Sequence, residues 1–406
     1  MASSTATTGR ALVVGLGISG IATAIRLRQA GWEPVIVERA PTRRSGGYFI
    51  ALFGTGQAAA RRLGFLDRIP DRYPPNGVTY VVDRSGVRKP GLGFRDAPGT
   101  PRMLLRSDVE RAAFATLPDD VEIRYATTPT RIEQDESGVE VTLEHDGTTV
   151  TERFDLVVGA DGLRSTVRRL VFGPHEEHLH RLGYMIAAFL LPGPIGGLAP
   201  HEGASLLEPG RALWIFPFED HPPGALFSYR TDDVDAQFTG RPADRVRAAY
   251  GPQAPGRLLG EALDALDATD DFLFDSVEQT RIDTWSRGRV VLVGDSAWCV
   301  GLYSGMGVSA GLAGADLLGT MLERHPGDIP AALRAWEDRL RPYIDAYQES
   351  GADRRNFVTP RSRLQVALRP MMARSARLPL IGRAAQLIEA GRKANRARQV
   401  DIAYVP

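Results

Sequence analysis

The chain has 406 residues with ordinary apolar (43%) and charged (24%) fractions, and 49 basic residues balance 49 acidic ones. That length suits two or three lobes rather than one small core, and a formal net charge of zero excludes a global field that would gather nucleic acid. A single cysteine, Cys299, excludes an intrachain disulfide and fits a reducing, cytoplasmic setting. No apolar run reaches membrane-spanning length; the best candidate, Gly183 to Leu191, stops at Pro192, so the chain reads as soluble.

After a polar start, Met1 to Arg10, the run Ala11–Val14 is predicted to be a strand buried on both faces. Gly15-Leu16-Gly17-Ile18-Ser19-Gly20 follows at once, then a helix predicted over Ile21–Ala30 and closed by Gly31, then a second strand, Pro34–Val37, ending at Glu38 and Arg39. This is a complete βαβ unit with a dinucleotide-binding turn. The first glycine allows the tight turn, the second lets backbone approach a pyrophosphate, and the third lets helix and strand pack closely. The helix start then offers free N–H groups and a positive dipole to the phosphates, which assigns Gly15, Gly17, Ile18, Ser19 and Gly20 to the site. Glu38 lies 18 residues past Gly20, at the distance suited to holding a ribose hydroxyl, with Arg39 beside it. The turn alone does not separate NAD from FAD.

Further along come Gly46-Gly47-Tyr48-Phe49-Ile50 and Met103-Leu104-Leu105-Arg106-Ser107-Asp108-Val109. A strand predicted over Asp155–Val158 leads into Gly159-Ala160-Asp161-Gly162-Leu163-Arg164-Ser165 and a helix. His175, His178 and His180 lack a catalytic-metal pattern and read as a solvated connection, so no metal is expected. Stretches Tyr184–Leu191, Ala212–Phe218 and Ala225–Tyr229 are predicted to form an antiparallel sheet. Trp214 with Phe216, and Phe227 with Tyr229, are alternate residues, so each pair shares a face and is a candidate aromatic pocket floor. The strand Arg289–Val293 ends at Gly294-Asp295. A loop containing Trp298, Cys299, Leu302 and Tyr303 follows, and Gly305-Met306-Gly307 opens a helix predicted over Val308–Leu322. Residues 351–406 carry twelve Arg/Lys against three Asp/Glu, in helical stretches predicted to break at Pro370 and Pro379. This tail reads as a solvated helix across the lobes or a subunit contact, rather than a membrane-surface element.

These motifs, in this order, resemble the FAD-dependent aromatic hydroxylases typified by para-hydroxybenzoate hydroxylase. The stretch around Gly46–Ile50 is most similar to the branch that includes tetracycline-inactivating monooxygenases. The resemblance implies an α/β fold in which a Rossmann-type FAD-binding domain is assembled from residues 1–75, 102–176 and 278–350. A β-sheet substrate domain would come from 76–101 and 177–277, and a helical segment from 351–406. It implies tightly held, non-covalent FAD, with Arg106, Asp161 and Asp295 as contacts and the helix start at Gly305, Gly307 and Val308 facing the flavin pyrimidine edge. A helix N-terminus there stabilises the negative charge of reduced flavin. NADPH or NADH would bind transiently, and O₂ would add to give a flavin C4a-hydroperoxide that oxygenates an aromatic or polyketide-like small molecule. Phe49, Trp214, Phe216, Phe227, Tyr229, Trp298 and Tyr303 are the candidate substrate-pocket residues. No catalytic side chain is identifiable, and a monomer or homodimer fits equally.

The chain departs from the family at Leu302, where a proline is usual, and at Trp298-Cys299. The change at Leu302 keeps open an FAD-bound non-redox cyclase or isomerase, and the basic tail keeps open a non-catalytic flavin-binding sensor.

Overall fold

Four short apolar segments far apart in sequence meet in one parallel sheet because each is uniformly apolar and needs cover on both faces. In the computed structural model, which describes residues 8–43, 46, 48–93, 96, 101–376 and 393–404, this sheet has six strands. Their order is Ser286–Arg287, Val290–Leu292, Leu156–Gly159, Arg10–Val14, Glu33–Val37 and Glu122–Arg124. All neighbours are parallel except the first pair. The helices Ile18–Gln29 and Gly307–Arg324 pack together; the Ser19 side chain sits where Gly311 and Gly294 leave room for it. The first helix begins three residues before the predicted Ile21, because Gly20 lies within its first turn.

The second large sheet has seven strands, in the order Leu273–Thr280, Leu179–Leu190, Gly224–Arg230, Arg211–Phe216, Glu202–Glu208, Val78–Val82 and Arg88–Pro90. One face packs with the helices Pro242–Ala249 and Gly256–Asp267 in a separate apolar core. The fold is α/β, with a Rossmann-type sheet, a β-sheet substrate domain and C-terminal helices. Between the large sheets a two-stranded ribbon pairs Phe49–Leu52 with Arg102–Leu105, which sets Phe49 opposite Leu105.

The helix Ile329–Val358 runs unbroken through Pro342 and past residue 350. Pro370 does not end its helix either: Arg363–Ala376 is continuous across it. An internal proline removes one helical hydrogen bond and bends the axis, but neighbouring turns can still hold the helix together. Pro379 lies outside the described residues, as does Gly47. Among the described residues no helix is long and apolar enough to cross a membrane.

Candidate flavin and substrate site

Two adjoining cavities run along the seam between the sheets. The first, about 850 Å³, is bounded by Gly15, Gly17, Glu38, Arg39, Arg106 and Asp161, among others. The second, about 540 Å³, is mainly apolar and has Ile18, Ser19, Phe49, Trp214, Phe216, Asp295, Tyr303, Gly305, Gly307 and Val308 on its walls. Gly17, Tyr48, Arg106, Ala160 and Gly162 belong to both.

The glycine turn is shaped as its spacing requires. Gly15 has φ +105°, a conformation that disfavours any side chain. A Cβ on Gly20 would stand 1.9 Å from the Gly15 carbonyl oxygen, so this glycine serves packing. A Cβ on Gly17 would meet only Arg106 Nη2, at 3.9 Å, and would project into the open cavity. No side chain caps the helix that starts beyond Gly17, so its first N–H groups remain available to an anion. Glu38 accepts hydrogen bonds from the Leu16 and Ala40 N–H groups, both at 2.9 Å. Each carboxylate oxygen keeps a lone pair for a further donor.

Asp161 is used differently. Its carboxylate accepts from Ser165 Oγ (2.5 Å) and from the Thr166 and Val167 N–H groups (2.6 and 3.1 Å), and so holds the start of the helix Thr166–Val171. Burial pushes its pKa up, against the pull of those donors. Arg164 lines the same cavity as the glycine turn and grips Asp275 of the substrate sheet through two hydrogen bonds, 2.9 and 2.7 Å. Arg106 begins the helix Arg106–Phe114, pairs with Glu110 at 2.7 Å and reaches both cavities. The Asp295 side chain is open to the apolar cavity, in a recess walled by protein. The loss of bulk solvent in that recess raises its pKa, while the Arg106 charge opposes the rise. A Cβ on Gly307 would lie 3.9 Å from Asp295 Oδ1, which puts this carboxylate beside the uncapped start of the helix Gly307–Arg324.

The aromatic candidates divide. Phe49 stacks on Phe216 (centroids 4.1 Å, 13°), and Phe216 lies nearly parallel to Trp214 (6.4 Å, 8°), so these rings form one cavity wall. Phe227 and Tyr229 do not join them. The register pairs Trp214 with Leu226 and Leu213 with Phe227, so strand parity sends Phe227 and Tyr229 to the opposite face, into the core under the two helices. Trp298 is also displaced from the pocket. It is buried in a cluster with Trp285 and Trp336 (centroids 4.8 and 5.6 Å) and not on the wall of the substrate pocket that it was expected to line.

A family model for an FAD binding domain matches residues 8–327. The chain belongs to this family of flavin monooxygenases. A flavin-dependent monooxygenase of an unknown prokaryotic organism is 28% identical over 347 residues, covering 84% of this chain and 87% of the relative. FAD-dependent monooxygenase asL4 of Sarocladium schorii is 25% identical over 371 residues, covering 84% and 85%. Among solved structures, tetracycline destructase Tet(51) superposes with a TM-score of 0.75 over 99% of this chain and 100% of its own, at 24% identity. HpxO of Klebsiella pneumoniae, complexed with FAD and uric acid, gives 0.75 over 93% and 96%, at 21% identity.

The residues of this flavin monooxygenase suit FAD. The open space at Gly17, the bare helix start beyond it and the left-handed Gly162 (φ +80°), where a Cβ would meet nothing within 4 Å, have the room and the free N–H groups that a pyrophosphate cradle requires. The sequence motifs identify that cradle. They do not reveal Tyr48, Met103, Ile186 or Leu226 on the chamber walls, nor Phe357 and Val358, which come from beyond residue 327. Phe357 extends the aromatic row to Trp214 (6.4 Å, 26°), and Trp214 Nε1 donates to the Val358 carbonyl at 3.0 Å.

Proposed function

We propose that this flavin monooxygenase takes electrons from NADPH or NADH and inserts one atom of O₂ into a flat aromatic or polyketide-like small molecule. The observation that carries this reading is the continuity of the two cavities: a phosphate cradle opens directly into a chamber walled by Phe49, Phe216, Trp214 and Phe357. Parallel rings along one wall favour a planar partner by offset stacking, worth about 0.5–1.5 kcal/mol per ring pair beyond area burial. Two neighbours support the class of substrate: structures described as a tetracycline destructase and as HpxO with uric acid share the fold.

Bound FAD supplies the redox chemistry and the activation of O₂. The chain's own part is binding, orientation and exclusion of water. The glycine turn and the helix start beyond Gly17 would hold the phosphates, and Glu38 would take a ribose hydroxyl. Asp295 and the helix start at Gly307 would hold the flavin end of the cofactor. The apolar walls keep water from the reacting edge. The Tyr303 hydroxyl is engaged by Ser228 Oγ at 2.8 Å, within the protein.

The test is anaerobic mixing of the FAD-loaded protein with NADPH, with and without a panel of phenolic compounds, following loss of the yellow flavin absorbance. Bleaching that one compound accelerates is the expected result. A flavin that stays oxidised under every condition, with turnover of a substrate in the absence of any donor, would replace this reading by the non-redox one.

A further inference from the structure

The loop Val300–Gly305 carries the residues that lead into the flavin-facing helix. Its two ends are glycines in left-handed conformations, Gly301 (φ +76°) and Gly305 (φ +67°), with one 3-10 turn, Leu302–Ser304, between them. Glycine at such hinges gives mobility, and Leu302 supplies no ring to fix φ. Several described residues beyond 327 meet this loop. A Cβ on Gly351 would lie 2.8 Å from the Val300 carbonyl oxygen and 3.3 Å from Ser304 Cβ, so the long helix lies directly on the loop backbone. Arg398 Nη2 donates to the Ser304 carbonyl at 2.9 Å. Tyr303 OH, Ser228 Oγ and Thr359 Oγ1 form a buried hydroxyl chain with steps of 2.8 Å each. The three residues are 5%, 0% and 0% exposed, and Tyr184 presses edge-on against the Tyr303 ring (5.6 Å, 86°).

We propose that Tyr303 is a positioning residue: its phenol, tied through Ser228 to Thr359 at the end of the long helix, fixes the flavin-facing loop in the place a rigid backbone residue would otherwise hold. The helical tail thus serves the cofactor site by bracing it. This rests on the reading that the loop faces bound flavin, and it adds the means by which the loop stays there. Leu302 offers an internal control. Its N–H makes no backbone hydrogen bond among the described residues, and it is the first residue of its 3-10 turn, so proline is compatible with that position.

The experiment uses the FAD-loaded full chain with Tyr303→Phe, Thr359→Val, the double variant, and Leu302→Pro added to Tyr303→Phe. Tyr250→Phe is the control, because it removes a buried hydroxyl bond of similar kind, to the Ala212 carbonyl at 2.6 Å, in the core away from the flavin. The readouts are fluorescence and visible circular dichroism of the bound, oxidised flavin, with thermal midpoints alongside. Tyr303→Phe and Thr359→Val are expected to raise flavin fluorescence several-fold and alter the dichroism. The double variant should go no further, since the two residues act through one chain. Leu302→Pro should restore most of the signal, and Tyr250→Phe should leave the flavin unchanged. A flavin unmoved by both single variants, or moved equally by Tyr250→Phe, would overturn the proposal. If Tyr303→Phe does not fold, Thr359→Val and Ser228→Ala carry the same test. Because the flavin stays oxidised throughout, a protein that NADPH cannot reduce would defeat the proposed function and leave this result readable.

Discussion

Gly15 and Gly20 are in contact through the space where a Gly20 side chain would be: a Cβ there would come within 1.9 Å of the Gly15 carbonyl oxygen, whereas Gly17 faces open cavity. Two substitutions of the same kind should therefore fail in different ways. Gly20→Val should not fold, since backbone on both sides would have to move. Gly17→Val should fold with a thermal midpoint near that of the flavin-free parent, yet carry little FAD, because its methyls occupy the phosphate cradle. Thermal unfolding together with the ratio of flavin to protein absorbance separates the two. Full flavin content in Gly17→Val would remove the cradle assignment.

Arg72 and Asp108 hold the segment that delivers Arg106. Asp108, whose side chain is fully buried, accepts from Arg72 Nε and Nη2 (2.6 and 2.7 Å), and also from the Leu105 N–H at 3.0 Å. Burial alone would raise its pKa, but these donors and the Arg72 and Arg111 charges outweigh it, and the net shift is downward from 3.8. A carboxylate with a depressed folded pKa stabilises the fold above its unfolded pKa, and that contribution is lost as pH falls through the folded value. Asp108→Asn should thus cost about 3–5 kcal/mol at neutral pH by leaving the Arg72 charge underpaired. The gap to the parent should narrow below about pH 4. Urea unfolding at pH 7 and in steps from about pH 4 down to about pH 2 measures this; a gap that stays constant over that whole range would rule out the ion pair as its source.

Strand parity makes neighbouring aromatics unequal. Trp214→Ala or Phe216→Ala should weaken ligand binding in the chamber while FAD content stays intact. Phe227→Ala, on the core face, should cost about 3–5 kcal/mol of stability and leave ligand selectivity unchanged in the folded protein. Titrating an aromatic ligand by its perturbation of the flavin spectrum, beside denaturant unfolding, distinguishes the two outcomes. Altered selectivity in Phe227→Ala would contradict the register.

The tryptophan cluster is structural. Trp336 is fully buried, donates from Nε1 to the Gly314 carbonyl at 2.8 Å and contacts both Trp285 and Trp298. Trp336→Ala should lower stability by about 3–5 kcal/mol, and the fraction that remains folded should still bind FAD. Fluorescence-monitored unfolding with added FAD checks both parts. Loss of flavin binding without loss of stability would place the cluster in the cofactor site instead.

Local chemistry made the phosphate cradle readable. Gly15, Gly17 and Gly20 each answer a backbone demand at a fixed spacing, and Asp295 stands at a strand end followed by a helix-opening glycine pair, so short stretches suffice to find them. The substrate chamber was only half legible. Alternation correctly paired Trp214 with Phe216 and Phe227 with Tyr229, but which pair faces inward depends on register across the sheet, a non-local fact. Trp298 misled because a tryptophan beside a flavin loop is equally good core material. Phe357 and Val358 gave no local signal; they reach the chamber only because Gly351, two turns earlier, lets a long helix settle on the loop.

The residues shared by the two cavities impose an order of assembly. With Gly17, Arg106 and Gly162 on a common boundary, a cofactor extending from one cavity into the other becomes the floor of the second. The smaller ligand then has a complete binding surface only on the loaded protein. By thermodynamic reciprocity, whatever affinity that ligand gains from the floor it returns as tighter retention of FAD. A tight small-molecule partner would therefore show itself as a lower equilibrium dissociation constant for FAD.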